Sequence, residues 1–285
     1  MVDVNSEEVV GLFHRPTLTS FRLYSGRVEN NTKSETNRAE RTLEKFWTKV
    51  DVKPQEDNHY AVALDSSPIK TPKGNRLVVP SSTVAHLLAQ EWSVITSLKI
   101  KPHSLPLTSL AARAIDLQDS PNERRDVVEY LMPYLDTDTL LVFAPSDDCE
   151  GTLRMAQENQ YRPVINRAED FWKVRLNWLD GDTMLFGNTQ TEETKAIVRE
   201  WIEGLNPWQF AALERATITA KSLIAGLLVL NRSHTVDQIA DLVNLEIIHQ
   251  TKLWGEVEDT HDVNHADLRR YLGSAYVVSG IGSQL

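Results

Sequence analysis

Very little in this 285-residue chain lends itself to covalent chemistry. Cysteine occurs once, as Cys149, which excludes an intramolecular disulfide framework and any four-cysteine zinc site, and points to a reducing compartment. The glycine signatures GxGxxG, GxxxxGKS/T and GxSxG are absent, so phosphate cradling by a glycine loop and nucleophile-elbow hydrolysis both lack support. Long apolar runs are missing as well. The longest, SLIAGLLVL at 222–230, is about half the roughly 20 residues that cross a bilayer, and reads as a buried core helix. Positive charge is in deficit, with 30 Lys and Arg against 40 Asp and Glu. The resulting net charge of −10 argues against a nucleic-acid binder, which must neutralise phosphates, and favours a basic partner.

What is present is ordinary globular material, 41% hydrophobic and 25% charged, long enough for two domains. Residues 11–27, GLFHRPTLTSFRLYSGR, are rich in Ser, Thr, Arg and aromatics and hold no acid. They resemble a mitochondrial transit segment, and RLYS at 22–25 resembles a matrix-peptidase site with the cut after Tyr24. Asp3, Glu7 and Glu8 run against that composition. The organisation expected is a transit segment over 1–24, a linker over 25–37, a small α+β domain over 38–125 and a larger helical domain over 126–285.

Within the first domain, Leu43, Phe46, Trp47 and Val50 sit at helical spacing and predict a helix over 38–50. The period then falls to two. YAVALD at 60–65 and IKTPKGNRLVV at 69–79 read as strands turned by Pro72 to Asn75, in an antiparallel sheet with one wet face. From residue 81 the pattern is helical: Ser81 and Ser82 cap one helix, and Ser120 with Pro121 start another. TLLVF at 139–143 reads as a strand or extended connection, SDDCEGT as a loop, and LRMAQENQYRPVINRAEDFW as a helix bent at Pro163. Four further helix signals follow: 191–204 ending at Gly204, 206–231, 235–258, and one capped by Asn264.

The most chemical stretch is LWGEVEDTHDVNHADL, 253–268. If 235–258 is one helix, Ile239, Val243, Glu246, Gln250, Trp254 and Glu258 share a stripe facing the core. Carboxylates buried there need a partner: a metal, an internal donor or another protein. His261 and His265, four apart, suit one ion beside Asp262 or Glu258, as in a metal-dependent phosphohydrolase. Yet HExxH is absent, a cap at Asn264 breaks the register, and His234 and His249 show no diagnostic spacing. In the alternative, Asp262 caps a helix and His261 packs at a surface. Cys149 has acidic neighbours that raise its pKa. Asp136 and Asp138 read as a helix end, and Lys221 with Ser222 as a packing pair. No enzyme emerges.

A series of motifs does occur in order: FW at 46–47, KTP at 70–72, QEW at 90–92, PLTSLAARAID at 106–116, YLDTDTL at 134–140, AQENQYRP at 156–163, AKSLIAGLLVL at 220–230, LEIIHQTKLWG at 245–255 and VEDTHD at 257–262. Over roughly 38–275 the chain resembles the mitochondrial ATP synthase assembly chaperones that bind the α subunit. Tyr161 stands where that family usually has Trp, and Leu105 where Met is common. The resemblance implies a small α+β part followed by a helical client-binding part. It implies an ATP-independent matrix chaperone, monomeric when free, with no cofactor, metal or catalytic residue, holding unassembled α subunit until β subunits replace it. It assigns Glu258 as the functionally important acid, with Trp254, Gly255, His261 and Asp262 completing the motif and Glu246 and Gln250 on the same stripe. Trp92, Glu91 and Asp116 fall in blocks expected to support the fold.

Overall fold

The computed structural model describes residues 43–96, 99–100, 104–183, 189–255 and 260–282, with the side chains of 43–44, 99–100 and 260–262 outside the description. An α+β region with an antiparallel sheet precedes a larger helical region. Strands β1 (Leu43–Glu44), β2 (Val50–Pro54), β3 (Tyr60–Leu64), β4 (Ser67–Pro68) and β5 (Val78–Val79) come first, then helix α1 (Ser82–Ser93) and strand β6 (Lys99–Ile100). Helices α2 (Pro106–Gln118), α3 (Pro121–Leu131) and α4 (Pro133–Asp136) lead to β7 (Val142–Phe143), α5 (Thr152–Trp172) and β8 (Leu179–Asp180). The chain closes with α6 (Glu192–Glu203), α7 (Pro207–Ala220), α8 (Leu223–Leu230), α9 (Val236–Val243), α10 (Leu245–Trp254) and α11 (Thr260–Ser279).

Strand β3 is central: β2 runs antiparallel along one side from Val50↔Leu64 to Pro54↔Tyr60, and β4 and β5 pair with the other. It is buried from Ala61 to Leu64, so the expected wet face does not exist at the sheet's middle, where Ala61 and Ala63 alternate with Val62 and Leu64. Helix α1 lies on β2, β3 and β5. The helix expected over 38–50 is a correction. Within the described residues this segment pairs as β1 with β6 and then enters β2. The Asp65 carboxylate accepts from the backbone N–H of Thr48 (3.1 Å) and Lys49 (2.9 Å), donors a helix would direct elsewhere. Apolar spacing alone misled, because Trp47 turns inward onto Trp92 (5.1 Å, edge to face) while Phe46 stays half exposed.

The helical region packs α7 against α11, α8 and α2, and one apolar core runs from Trp47 to Ile281. Two helices expected as continuous are each broken. The 206–231 segment divides at Lys221, which takes a left-handed backbone (φ 53°), and Ser222 then caps α8 by accepting from Ala225 N–H. The 235–258 segment divides at Asn244. Helix α11 starts at Thr260, so Asn264 lies inside it and is no cap. Ser120 precedes α3 without capping it, its hydroxyl donating instead to the Asp116 carbonyl at 2.9 Å. Gly204 ends α6 with an ordinary right-handed backbone.

Candidate functional site: the exposed face of helix α10

The break at Asn244 decides what α10 presents. Thr235 and Gln238 form a capping box at the start of α9, which turns Ile239, Ala240 and Leu242 into the core. After the break, LEIIHQTKLW buries only Leu245. At about 100° per residue, Ile247 and Trp254 fall on one face, Gln250 and Glu246 beside them, and Leu253 at its edge. That face looks outward: Ile247 is 40% exposed, Leu253 45% and Trp254 73%. Of the stripe expected to face the core, Ile239 does so, whereas Glu246 and Trp254 face solvent, and the Glu246 carboxylate needs no buried partner. Glu246 is exposed and accepts from Gln250 Nε2 at 2.8 Å. Helix α10 rests on α5, α9 and the 3-10 turn Asp148–Gly151.

Gly255 ends the helix at φ +87°, ψ 164°, a backbone region open essentially to glycine alone. Its N–H still accepts the helical geometry, donating to Thr251 O at 2.9 Å. Tryptophan followed by glycine thus places a large exposed ring on the last helical residue and redirects the chain at once. Glu258 lies outside the described residues, and so do the side chains of His261 and Asp262, although the backbone of both belongs to α11. His265 lies 3.3 Å from the Arg269 guanidinium, which also donates to Asp237 and Asp241 of α9 at 2.9 Å each. A cation already held at that imidazole disfavours a metal ion there. No group of three His, Cys, Asp or Glu side chains that suits a metal occurs among the described residues.

The remaining residues singled out have structural occupations. Glu91 accepts from Leu107 N–H and Thr108 N–H, both at 2.8 Å, and from the Thr108 hydroxyl at 2.6 Å. Since Leu105, at the cap position of α2, has no side-chain oxygen, Glu91 caps that helix from α1. Trp92, fully buried, donates its indole N–H to Thr108 Oγ1 at 2.9 Å. Asp116 accepts from the Thr71 hydroxyl (2.6 Å), Asn75 Nδ2 (2.9 Å) and Lys73 N–H (3.2 Å), which fixes the KTPKGN turn to α2. Asp138 is fully buried, accepting from Leu140 N–H and Ile224 N–H at 3.0 Å each. Burial pushes its carboxyl up to about 6 against those hydrogen bonds. Asp136 instead pairs with Lys195 at 3.1 Å and accepts from Gln190 N–H. Burial, then Asp148, pushes the Cys149 thiol up. None of these groups is placed as a nucleophile.

The SDDCEG segment, expected as a loop, is a defined turn. Cys149, Glu150 and Gly151 occupy left-handed backbone in succession (φ 50°, 57° and 75°), and this turn supports α10. An acid-rich loop ahead of a helix was the available signal, with nothing in the pattern to join it to a helix a hundred residues on.

The sequence profile described as ATP12 chaperone protein matches residues 44–169. "Protein ATP12, mitochondrial" of Saccharomyces cerevisiae is 42% identical over 288 residues, covering 88% of each chain. "Protein atp12, mitochondrial" of Schizosaccharomyces pombe is 34% identical over 252 residues, covering 87% of this chain and 86% of its own. Among solved structures, Atp12 from Paracoccus denitrificans superposes with a TM-score of 0.70 at 24% identity, over 85% of this chain and 99% of that one. That likeness carries the fold.

Proposed function

We propose a function from one premise: this chain belongs to the ATP12 chaperone family. It is a mitochondrial protein, as both yeast relatives are by name, and its place of work in this reading is the matrix. There it holds the unassembled α subunit of the ATP synthase catalytic sector, without ATP hydrolysis, until β subunits take over the same apolar interface. An unassembled subunit exposes surface made for its neighbours, and such patches aggregate.

One observation carries the reading. Helix α10 keeps Ile247, Leu253 and Trp254 in water beside Glu246 and Gln250, apolar area rimmed by polar groups. An interface of that mixed kind releases its guest more readily than a fully greasy one. Glu258, three residues past the Gly255 turn, contributes a charged contact to the client in this reading.

The test is light scattering of unfolded α subunit diluted into buffer with the chaperone. Wild type suppresses aggregation, Glu258→Lys does not, and both melt at the same temperature. Full protection by Glu258→Lys would sink the assignment of that residue, and no protection by wild type would sink the function.

A further inference from the structure

Acidic side chains around α10 are not all on α10 itself. The turn packed against it carries Asp147 and Glu150, both exposed, and Asp148, partly so. Glu246 stands close enough that its charge is felt at the Cys149 thiol and the Tyr161 phenol, both of which are pushed up chiefly by burial. The turn is rigidly built: Asp148 N–H donates to Pro145 O at 3.1 Å, Ser146 N–H to Asp182 at 2.8 Å, and the Thr152 hydroxyl to Cys149 O at 2.7 Å. Cys149 is buried below it. Cys149 and Glu150 take left-handed backbone that non-glycine residues disfavour, so these anchors hold the shape against its own preference.

We infer that the Asp147–Glu150 turn and the α10 face form one docking surface that selects a basic-flanked apolar segment of the client. This deepens the reading in which α10 takes the α subunit, and rests on it. Apolar Ile247, Leu253 and Trp254 supply contact area, while Asp147, Asp148, Glu150 and Glu246 leave Lys252 as the one positive side chain on α10. A guest that neutralises this rim carries Lys or Arg beside its apolar residues. A second copy docking through the same face does not, because two such rims repel. Fixed charges at a rim act mainly on the rate of encounter and on its salt dependence.

Association of fluorescently labelled α subunit is measured by stopped flow at about 25 mM and about 250 mM salt. Asp147→Lys with Glu150→Lys slows association about tenfold at low salt and flattens its salt dependence. Glu56→Lys with Asp57→Lys, the same charge change on the β2–β3 hairpin, leaves the rate within about twofold of wild type. Because a reversed turn risks misfolding, Asp147→Asn with Glu150→Gln is run beside it, and circular dichroism and melting confirm the fold of each variant. A separate arm measures fluorescence anisotropy of two peptides with one apolar pattern, one bearing lysines and the other glutamates. Wild type prefers the lysine peptide by about tenfold, and Asp147→Lys with Glu150→Lys abolishes the preference. Equal binding of the two peptides, an equal effect of the hairpin control, or a chaperone dimer broken by Trp254→Ser would overturn the inference. Failure of wild type to bind α subunit while the peptide preference persists would sink the reading of function and leave the surface intact.

Discussion

At the scale of single residues, Asp138 is where charge and burial conflict most directly. Its carboxyl sits fully buried with a pKa of about 6 in place of the ordinary 3.8. The folded state therefore holds the proton more tightly than the unfolded one. This group's contribution favours folding most below about pH 4 and is lost as pH rises through about 6, a swing of roughly 3 kcal/mol. Asp138→Asn cannot titrate, so the gap in stability between wild type and variant should shift by about that amount, toward the variant, between pH 4 and pH 7. Urea denaturation at the two pH values measures it, and a constant gap would show that the proton is absent. Gly255 offers a second residue-scale test. A Cβ there meets nothing within 4 Å, so Gly255→Ala costs torsional strain alone, about 1–3 kcal/mol. The strain should fray the end of α10, lowering the melting temperature slightly and client protection strongly.

At the scale of elements, helices in this protein are finished by their neighbours. Leu105 cannot cap α2, so the first turn borrows the Glu91 carboxylate through two backbone N–H groups and a hydroxyl. Glu91→Ala should cost roughly 2–4 kcal/mol, read as a lower urea midpoint, and Glu91→Gln about half of that because one acceptor survives. The same logic explains which elements the sequence misreported. Ser81, Thr191, Asn206 and Thr235 lie immediately ahead of the helices they cap, and those starts were legible. The breaks at Lys221 and Asn244 were not, because no proline or glycine marks them and periodicity runs through both. Ser120 failed as a cap because its hydroxyl donates to Asp116. The expected stripe is cut by the break at Asn244: Ile239 stays in the core, while Glu246 and Trp254 are exposed, and Ile247, outside that stripe, joins them in water.

At the scale of the whole molecule, the α+β region and the helical region are joined by charge as well as by a shared core. Arg113 on α2 donates to both Glu214 oxygens at 2.9 Å and also reaches Glu123, which in turn takes Lys73 from the KTPKGN turn. Arg113→Ala leaves Glu214, only 17% exposed at its side chain, without its bidentate partner. A loss of about 2–4 kcal/mol is expected, and a single unfolding transition should persist because the core is shared. Two separated transitions would show that the regions unfold as independent units.

The sequence by itself determined an α+β start followed by a mostly helical remainder, the absence of glycine-loop and disulfide signatures, and the motif series that places the chain in its family. Those are local properties: periodicity, turn chemistry and residue identity are written along the chain. Only the tertiary structure decided which face of α10 is wet, that Glu91 and Asp116 brace elements distant in sequence, and that an acidic turn at 147–151 lies under a helix that begins at 245. A helix turns about 100° per residue, so one unmarked break re-aims every side chain after it, and only the packed core fixes which way they point.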